Sequence, residues 1–172
     1  MDAAKAAINV KYHCGPIIGR GASADVYLMT HRESQKQYAC KMIAKNQKLN
    51  DDKTMQMEMY LLQHVQDEHL VNLYELYECP DHVWLMLEYA DVGDLWHGLA
   101  SIPAAEYTEA KIAELFQQLL LGVKYLHSHR IIVHRDLKLE NVLLSPRMIF
   151  HGKKELVLKL TDFGLSAIRS LS

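Results

Sequence analysis

Apolar and polar residues alternate in five short runs in the first half of the chain, and this pattern predicts β-strands. The runs are residues 12–18, 25–31, 37–43, 71–77 and 82–88. Between the third and fourth runs, over residues 51–66, apolar residues recur at helical spacing, and Met55, Leu62 and Val65 share one stripe. Asp51 and Asp52 stand where negative charge favours a helix start. The sequence therefore predicts a small lobe with an antiparallel sheet and one helix.

After Tyr89 the pattern becomes mainly helical. The predicted elements are a connector over 90–93, a short helix over 94–99, a long helix over 108–127, and short strands over 142–144 and 156–161. Thr108 is a predicted N-cap of the long helix. The predicted core stripe of that helix is Ile112, Phe116, Leu119, Val123 and Leu126. A polar insert, residues 145–155, separates the two strands. The predicted fold class is α+β, with a tail over 1–11, the small lobe over 12–89 and a second part over 90–172.

Composition and charge are those of an ordinary globular protein. The 172 residues are 49% apolar and 23% charged, and the formal net charge is −2. We therefore expect no nucleic-acid binding as the main activity, which leaves open only a local patch at Lys153 and Lys154. Cys14, Cys40 and Cys79 lack metal-ligand or redox spacing, which indicates reduced thiols. No signal peptide and no membrane span are expected, and the expected location is cytoplasmic, or alternatively nuclear.

One polar run, residues 132–141, combines three groups suited to phosphoryl transfer. Asp136 can deprotonate a hydroxyl, Lys138 can stabilise charge on a moving phosphoryl group, and the amide oxygen of Asn141 can bind Mg²⁺. The alternative is a charged, solvated loop, and the run alone does not decide between the two interpretations.

Other stretches supply further candidates. Gly19 and Gly21 lie in a turn between two predicted strands, where backbone N–H groups can approach a phosphate, although glycine is common in turns that bind nothing. Lys41 alternates with apolar residues on one strand face, and Glu58 lies on the apolar stripe of the first helix. An ion pair would explain both charges, and the alternative is that Lys41 reaches solvent and Glu58 sits at the edge of the stripe. Asp162 follows a strand, where carboxylates often bind metal ions.

The order of these features resembles the protein kinase family from residue 12 onward. A glycine-rich turn, a strand lysine, a helix glutamate, His-Arg-Asp-x-x-x-x-Asn and Asp-Phe-Gly follow one another as in that family. Asp-Leu-Lys-x-x-Asn is similar to the serine/threonine branch, and Leu-Thr-Asp-Phe-Gly-Leu-Ser is similar to the calcium/calmodulin-dependent group. The resemblance implies transfer of phosphate from ATP, with Mg²⁺, to a serine or threonine of a protein substrate. The alternative is a non-catalytic module that keeps the kinase cleft as a scaffold.

The resemblance also implies roles for individual residues. Asp136 would be the catalytic base, Lys138 would contact the γ-phosphate, and Lys41, held by Glu58, would contact the α- and β-phosphates. Asn141 and Asp162 would bind Mg²⁺. The implied nucleotide site consists of Ile18, Gly19, Gly21 and Ala24 near the phosphates, Val26, Ala39 and Leu143 around adenine, Leu87 as gatekeeper, Glu88 to Ala90 as hinge and Asp94 near the ribose. A stacked spine would contain Leu62, Leu73, His134 and Phe163.

The sequence departs from the pattern of the kinase family at three places, and the resemblance also implies two kinds of binding partner. Ala24 replaces the last glycine of the loop, and the insert between Asn141 and Asp162 is longer than usual. No Ala-Pro-Glu follows Asp162-Phe163-Gly164, so we expect a fragment or a truncated gene model. The resemblance also implies a substrate with basic residues before its acceptor, because Glu140 and Asp94 are acidic at positions where basophilic members of the family hold substrate arginines. A calmodulin-type or other regulator would bind outside this segment.

Overall fold

The computed structural model of the chain describes residues 3–21, 24–45, 52–101, 108–130, 132–148 and 154–168. The helices in this part of the chain are α1 (Ala3–Lys11), α2 (Asp52–His64), α3 (Leu95–Ser101) and α4 (Glu109–Arg130), and a 3₁₀ turn covers Leu139–Asn141. The strands are β1 (Tyr12–Arg20), β2 (Ala24–His31), β3 (Gln37–Ala44), β4 (Leu73–Glu78), β5 (His82–Glu88), β6 (Gly93–Asp94), β7 (Ile132–Val133), β8 (Val142–Met148), β9 (Lys154–Leu160) and β10 (Ala167–Ile168). Asp51 lies outside the described residues.

The first five strands of the described chain form one antiparallel sheet in the order β1-β2-β3-β5-β4. This confirms the predicted α+β class with a five-stranded antiparallel lobe. The bounds of β5 are those predicted, whereas β4 begins and ends later than the predicted strand over 71–77. The register shifts twice in β1, between Cys14 and Ile17 and between Ile17 and Gly19, so the alternation of that strand is interrupted.

Helix α1 packs against this sheet, although the sequence suggested only a tail over residues 1–11. Ile8 is buried in a cluster with Tyr12, Met29, Cys40 and Met86. Lys11 forms an ion pair with Glu75 of β4, and Nε of Arg32 donates to the carbonyl oxygen of Asn9 at 3.0 Å. One buried isoleucine and several polar contacts therefore attach α1 to the lobe.

The three cysteines are free thiols, as predicted. Cys14 is exposed, whereas Cys40 and Cys79 are buried. Burial raises the pKa of the Cys40 thiol to about 12, so it remains protonated and acts as a small apolar residue of the core.

The described residues form two compact units, divided at positions 53/54, 71/72 and 89/90. The first unit contains the five-stranded sheet and α1. In the second unit, residues 54–71 and 90–168, α4 packs against β7 and β9, and small sheets form in the orders β6-β8-β9 and β10-β7. No helix in the described part of the chain combines the length and apolarity required to cross a membrane.

The second unit differs from the prediction in its hairpin and in its short helix. Strands β8 and β9 extend far into the predicted polar insert over 145–155, because Pro146 pairs with Leu156 and Arg147 with Glu155. Helix α3 begins at Leu95 rather than at Asp94, since Asp94 pairs with Leu143 of β8. Cross-strand pairing therefore decides both boundaries.

Helix α4 confirms the predicted N-cap but corrects the predicted core stripe. The backbone N–H of Lys111 donates to Oγ1 of Thr108 at 3.2 Å. Ile112 and Phe116 were predicted in the core and are exposed, whereas Leu115 and Leu126 are buried. The buried face of α4 is thus rotated from the predicted stripe over its first two turns.

Candidate active site

In the first unit, the glycine-rich turn connects two paired strands. Gly19 is the register partner of Val26, and the N–H of Gly21 donates to the carbonyl oxygen of Ala24 at 2.9 Å. Ile18 is exposed on β1. Ala22 and Ser23, between the two strands, lie outside the described residues. The described ends of the turn are compatible with a loop whose backbone approaches a phosphate.

Four predicted nucleotide-site residues share one face of the five-stranded sheet. Val26 pairs with Lys41, and Ala39 pairs with Leu87. Directly opposed residues project to the same face, and so do residues two apart in a strand. The structure therefore places Lys41 on the same face as two of the three predicted adenine contacts and the predicted gatekeeper.

Glu88 projects to the other face, because it pairs with Tyr38. Its Oε2 accepts a hydrogen bond from Nδ2 of Asn72 at 3.0 Å, and its N–H donates to the carbonyl oxygen of Asn72 at 2.9 Å. The side chain thus anchors the end of β5, which leaves the backbone as the part of Glu88 suited to the predicted hinge contact.

In the second unit, the predicted base is held by two other predicted site residues. Nζ of Lys138 donates to Oδ2 of Asp136 at 2.8 Å, and Nδ2 of Asn141 donates to the same oxygen at 2.9 Å. The hydrogen bond from Lys138 holds the pKa of Asp136 below its usual range, although burial opposes the shift. The pKa of Lys138 is raised by the same hydrogen bond. Asp136 is therefore an oriented, ionised carboxylate at neutral pH.

His134 is a buried, neutral side chain that forms hydrogen bonds with the backbone of Asp136 and Thr161. Its Nε2–H donates to the carbonyl oxygen of Thr161 at 2.9 Å, and its Nδ1 accepts from the N–H of Asp136 at 3.3 Å. Burial lowers the pKa of His134, although the hydrogen bond to Thr161 opposes this. The neighbouring Arg135 has a φ of 66° and donates from Nε to the carbonyl oxygen of Leu165 at 2.5 Å. A positive φ in a non-glycine residue costs energy and is frequent at functional sites.

Asp162, a predicted metal ligand, also has a positive φ, 64°. Its Oδ1 accepts a hydrogen bond from the N–H of Gly164 at 3.4 Å. Phe163 is buried, and its ring lies 5.4 Å from that of His134. Two of the four predicted spine residues are therefore in contact within this unit.

Glu58 lies on α2 and is only 6% exposed. A Cβ added to Gly164 would stand 3.3 Å from Oδ1 of Asp162 and 3.8 Å from Oε2 of Glu58. Two carboxylates thus lie beside the same glycine, and positive charge would stabilise both. Lys41 and Mg²⁺ are the predicted cations, and the pairing of Lys41 with Glu58 remains a prediction.

In the second unit, Asp94, the predicted ribose contact, pairs with Leu143, a predicted adenine contact, between strands β6 and β8. Ala90 is buried, and its carbonyl oxygen accepts from the N–H of Gly93 at 3.2 Å. Oδ1 of Asp94 also caps α3, because it accepts the N–H of His97 at 2.8 Å. Burial opposes ionisation of Asp94, but hydrogen bonds from His97 outweigh it and lower the pKa of the carboxyl.

Sequence reasoning assigned no role to His97, Arg135 or Lys159. The imidazole of His97 lies 2.8 Å from Oδ2 of Asp94, and its spacing of three residues from a helix-start aspartate was the available signal. Lys159 is buried next to Leu160 in β9, and a lysine in a nearly continuous apolar run was the signal there.

Asn141 and Asp162 suit a magnesium ion by their chemistry. Because Nδ2 of Asn141 is directed at Asp136, its side-chain carbonyl oxygen is the atom suited to a cation. Asp162 supplies a carboxylate. Among the described residues, no group of three or more His, Cys, Asp and Glu side chains could hold a metal ion. Mg²⁺ in phosphoryl-transfer sites is held by one or two carboxylates together with substrate phosphates, so these two residues fit.

Comparison with known proteins identifies the family. The model of the protein kinase domain matches residues 12–171. The chain therefore belongs to the protein kinase family, whose members use ATP and a divalent metal ion.

Several relatives are kinases by name, and two of the three given below are named as serine/threonine kinases. The chain is 35% identical over 152 residues to myosin light chain kinase A of Dictyostelium discoideum, which covers 88% of the chain and 49% of that protein. It is 33% identical over 155 residues to serine/threonine-protein kinase DCLK3 of Mus musculus, covering 90% of the chain and 19% of that protein. It is also 33% identical over 162 residues to the serine/threonine-protein kinase H1 homolog of Pinctada fucata, covering 94% of the chain and 36% of that protein. The chain thus spans about half or less of these relatives.

Proposed function

We propose that the protein to which this chain belongs catalyses the ATP- and Mg²⁺-dependent transfer of a γ-phosphoryl group to a serine or threonine of a protein, and that this chain supplies the reacting groups. The observation that carries the proposal is the carboxylate of Asp136, which is oriented and kept ionised by Lys138 and Asn141. A carboxylate with this support can accept the proton of a hydroxyl as that oxygen attacks phosphorus.

Each predicted site residue has its own role in the proposed reaction. The substrate oxygen forms a bond to the γ-phosphorus, the bond from phosphorus to the β,γ-bridging oxygen breaks, and the hydroxyl proton passes to Asp136. Nζ of Lys138 lies 2.8 Å from Oδ2 of Asp136, and its charge would stabilise negative charge on the transferring group. When bound at Asn141 and Asp162, Mg²⁺ supplies positive charge to the phosphate oxygens. Lys41 and the backbone of the glycine-rich turn orient the nucleotide.

The proposed substrate has basic residues before its acceptor. Glu140 is exposed in the 3₁₀ turn directly before Asn141, so its carboxylate can reach an arginine of a bound peptide. Asp94, the other acid that suggested this preference, already binds His97. The argument therefore rests mainly on Glu140.

The deciding experiment compares three forms of the protein expressed from its complete transcript. Phosphate transfer from labelled ATP with Mg²⁺ to a mixture of basic proteins is measured for the wild type, Asp136→Asn and Asp81→Asn. Asp81 is an exposed turn aspartate and serves as the matched control. We expect a loss of at least about a hundredfold for Asp136→Asn and none for Asp81→Asn. Label should appear on serine or threonine. Equal, background incorporation in all three forms would instead favour the non-catalytic scaffold.

A further inference from the structure

A lysine occupies a buried position in the strand that leads to Asp162. Lys159 is 7% exposed, and its neighbours in β9, Leu158 and Leu160, are fully buried. An ammonium group in such surroundings is unfavourable unless hydrogen-bond acceptors surround it. Nζ of Lys159 donates to the backbone carbonyl oxygen of Glu68 at 2.8 Å. The interaction is therefore a buried, charge-assisted hydrogen bond, which is stronger than one between neutral groups.

Glu68 belongs to the segment that follows α2, residues 65–71, which we call the α2 loop. The α2 loop is bonded to β9 at three successive strand residues, Leu158, Lys159 and Leu160. His69 Nδ1 lies 3.2 Å from the carbonyl oxygen of Leu158, and the N–H of Leu160 donates to the carbonyl oxygen of His69 at 2.8 Å. The N–H of Val71 donates to the carbonyl oxygen of Leu160 at 2.9 Å.

Helix α4 and strand β8 contact the same loop. The hydroxyl of Tyr125 accepts the N–H of Gln66 at 3.0 Å. A Cβ added to Gly122 of α4 would stand 3.1 Å from the carbonyl oxygen of His69, so the helix and the loop pack closely. Arg147 of β8 forms an ion pair with the exposed carboxylate of Glu68. Lys159 thus provides the buried charge in a set of contacts that attaches the α2 loop to its surroundings.

The α2 loop and β9 each lead to a predicted active-site carboxylate. Helix α2, which carries Glu58, ends at His64 and continues directly into the loop. Strand β9 ends at Leu160, two residues before Asp162. Both carboxylates lie close to Gly164. A bond between the loop and the strand therefore links the two segments that carry these side chains.

We propose that Lys159 is a positioning residue that holds helix α2, and with it Glu58, at a fixed place relative to the strand that carries Asp162. The effect on catalysis rests on the proposed kinase function, whereas the effect on α2 does not. Loss of the ammonium group would release the α2 loop from β9 at Glu68 and allow Glu58 to shift. Small displacements of positioning groups reduce the rate up to about a hundredfold.

The test uses the protein expressed from its complete transcript in four forms: wild type, Lys159→Met, Lys159→Arg and Lys124→Met. Methionine keeps an unbranched apolar stem and removes the charge, arginine keeps a donor, and Lys124 is an exposed lysine of α4. Hydrogen exchange is followed by mass spectrometry in peptides covering α2, the α2 loop and α4. We expect exchange in α2 and its loop to rise at least about tenfold in Lys159→Met, while α4 keeps its protection. Lys159→Arg should keep most of the wild-type protection of α2 and its loop, and Lys124→Met should match the wild type.

Kinetics then separate positioning from a merely structural role. In Lys159→Met, kcat should fall at least about tenfold with the KM for the protein substrate nearly unchanged, because the substrate site is not altered. Unchanged exchange in α2 would overturn the proposal, and so would an equal rise in α2 and α4, which would indicate general destabilisation. If the wild type transfers no phosphate, the proposed function fails, and the exchange data still decide whether Lys159 holds α2.

Discussion

The side-chain nitrogen of Asn141 lies 2.9 Å from both the backbone carbonyl oxygen and Oδ2 of Asp136. This double contact fixes the orientation of the Asn141 amide, because only its nitrogen can donate to both acceptors. The predicted magnesium ligand and the predicted base are therefore oriented by each other. A change in one of them should disturb both metal binding and proton transfer.

The first prediction concerns the pH dependence of the reaction. The hydrogen bond from Lys138 lowers the pKa of Asp136, so its removal in Lys138→Met should raise that pKa. The base acts only when deprotonated, so activity should then be lost at a higher pH as the solution is acidified. We expect the acidic limb of the kcat/KM profile to move to higher pH, with a rate at neutral pH reduced at least about tenfold. Lys124→Met is the control, and an acidic limb that does not move would contradict the assignment.

The second prediction tests whether α1 belongs to the folded lobe. Ile8 is 2% exposed within the core cluster, whereas Val10 of the same helix is 77% exposed. Ile8→Ala should lower the free energy of unfolding by about 2–5 kcal/mol, the usual cost of removing a buried aliphatic side chain. Val10→Ala should change it by less than about 0.5 kcal/mol. Urea denaturation measures both, and equal effects would show that α1 does not pack as described.

Sequence patterns were most reliable for a strand in the middle of the sheet. Strand β5 matches its predicted bounds, because it is paired on both sides and Val83, Leu85, Met86 and Leu87 are all buried. Helix α1 was missed because its burial depends on Ile8, which does not form a stripe. The outer part of the β8-β9 hairpin also left little trace in the sequence, since Arg147 and Glu155 are polar residues that pair across it.

At the candidate site, sequence predicted contacts between neighbouring residues but not contacts between distant ones. Asp136, Lys138 and Asn141 are close in sequence, so their chemistry could be predicted from spacing, and the structure shows them in contact. Lys159 and Glu68 are 91 residues apart. Their contact depends on how β9 meets the α2 loop, and no local pattern encodes that. Motifs therefore identified the predicted reacting groups, but they did not identify long-range contacts such as the one between Lys159 and Glu68.

The third prediction is that Lys41 and Glu58 form an ion pair. Single substitutions Lys41→Met and Glu58→Gln should each weaken MgATP-dependent turnover, and the double variant should be little worse than either single one. Such non-additivity is expected of groups that act as a pair. The measurement is a double-mutant cycle on kcat/KM for ATP, and strictly additive losses would argue against the pairing.

The fourth prediction concerns substrate choice. Glu140 is exposed beside the predicted base, so it should favour peptides with arginine before the acceptor residue. In a peptide-array assay, Glu140→Gln should reduce that preference by several-fold to about tenfold, since an exposed charge pair contributes modestly. Glu109→Gln, which changes an exposed glutamate at the start of α4, should leave the preference intact. An acidic or proline-directed preference in the wild type would refute the idea.

The last prediction concerns the 172-residue chain expressed alone. Ile112, Phe116 and Leu120 form an exposed apolar row along α4, and Phe116 is 57% exposed. An apolar row of this kind promotes association. The chain should therefore form oligomers in light scattering after size exclusion, and Phe116→Glu should shift it towards monomer. Leu115 is buried one residue away, so Leu115→Glu should instead unfold the chain.

The same chain should bind ATP weakly and transfer no phosphate. Asp136 can act only on a hydroxyl held close to it, and the side chain of Leu137, the next residue, is 52% exposed. The assay compares Mg²⁺-dependent phosphorylation of a generic basic protein by this chain and by its Asp136→Asn variant. Equal, background incorporation is expected. Robust activity that disappears in the variant would show that residues 1–172 alone suffice to position a substrate hydroxyl against Asp136.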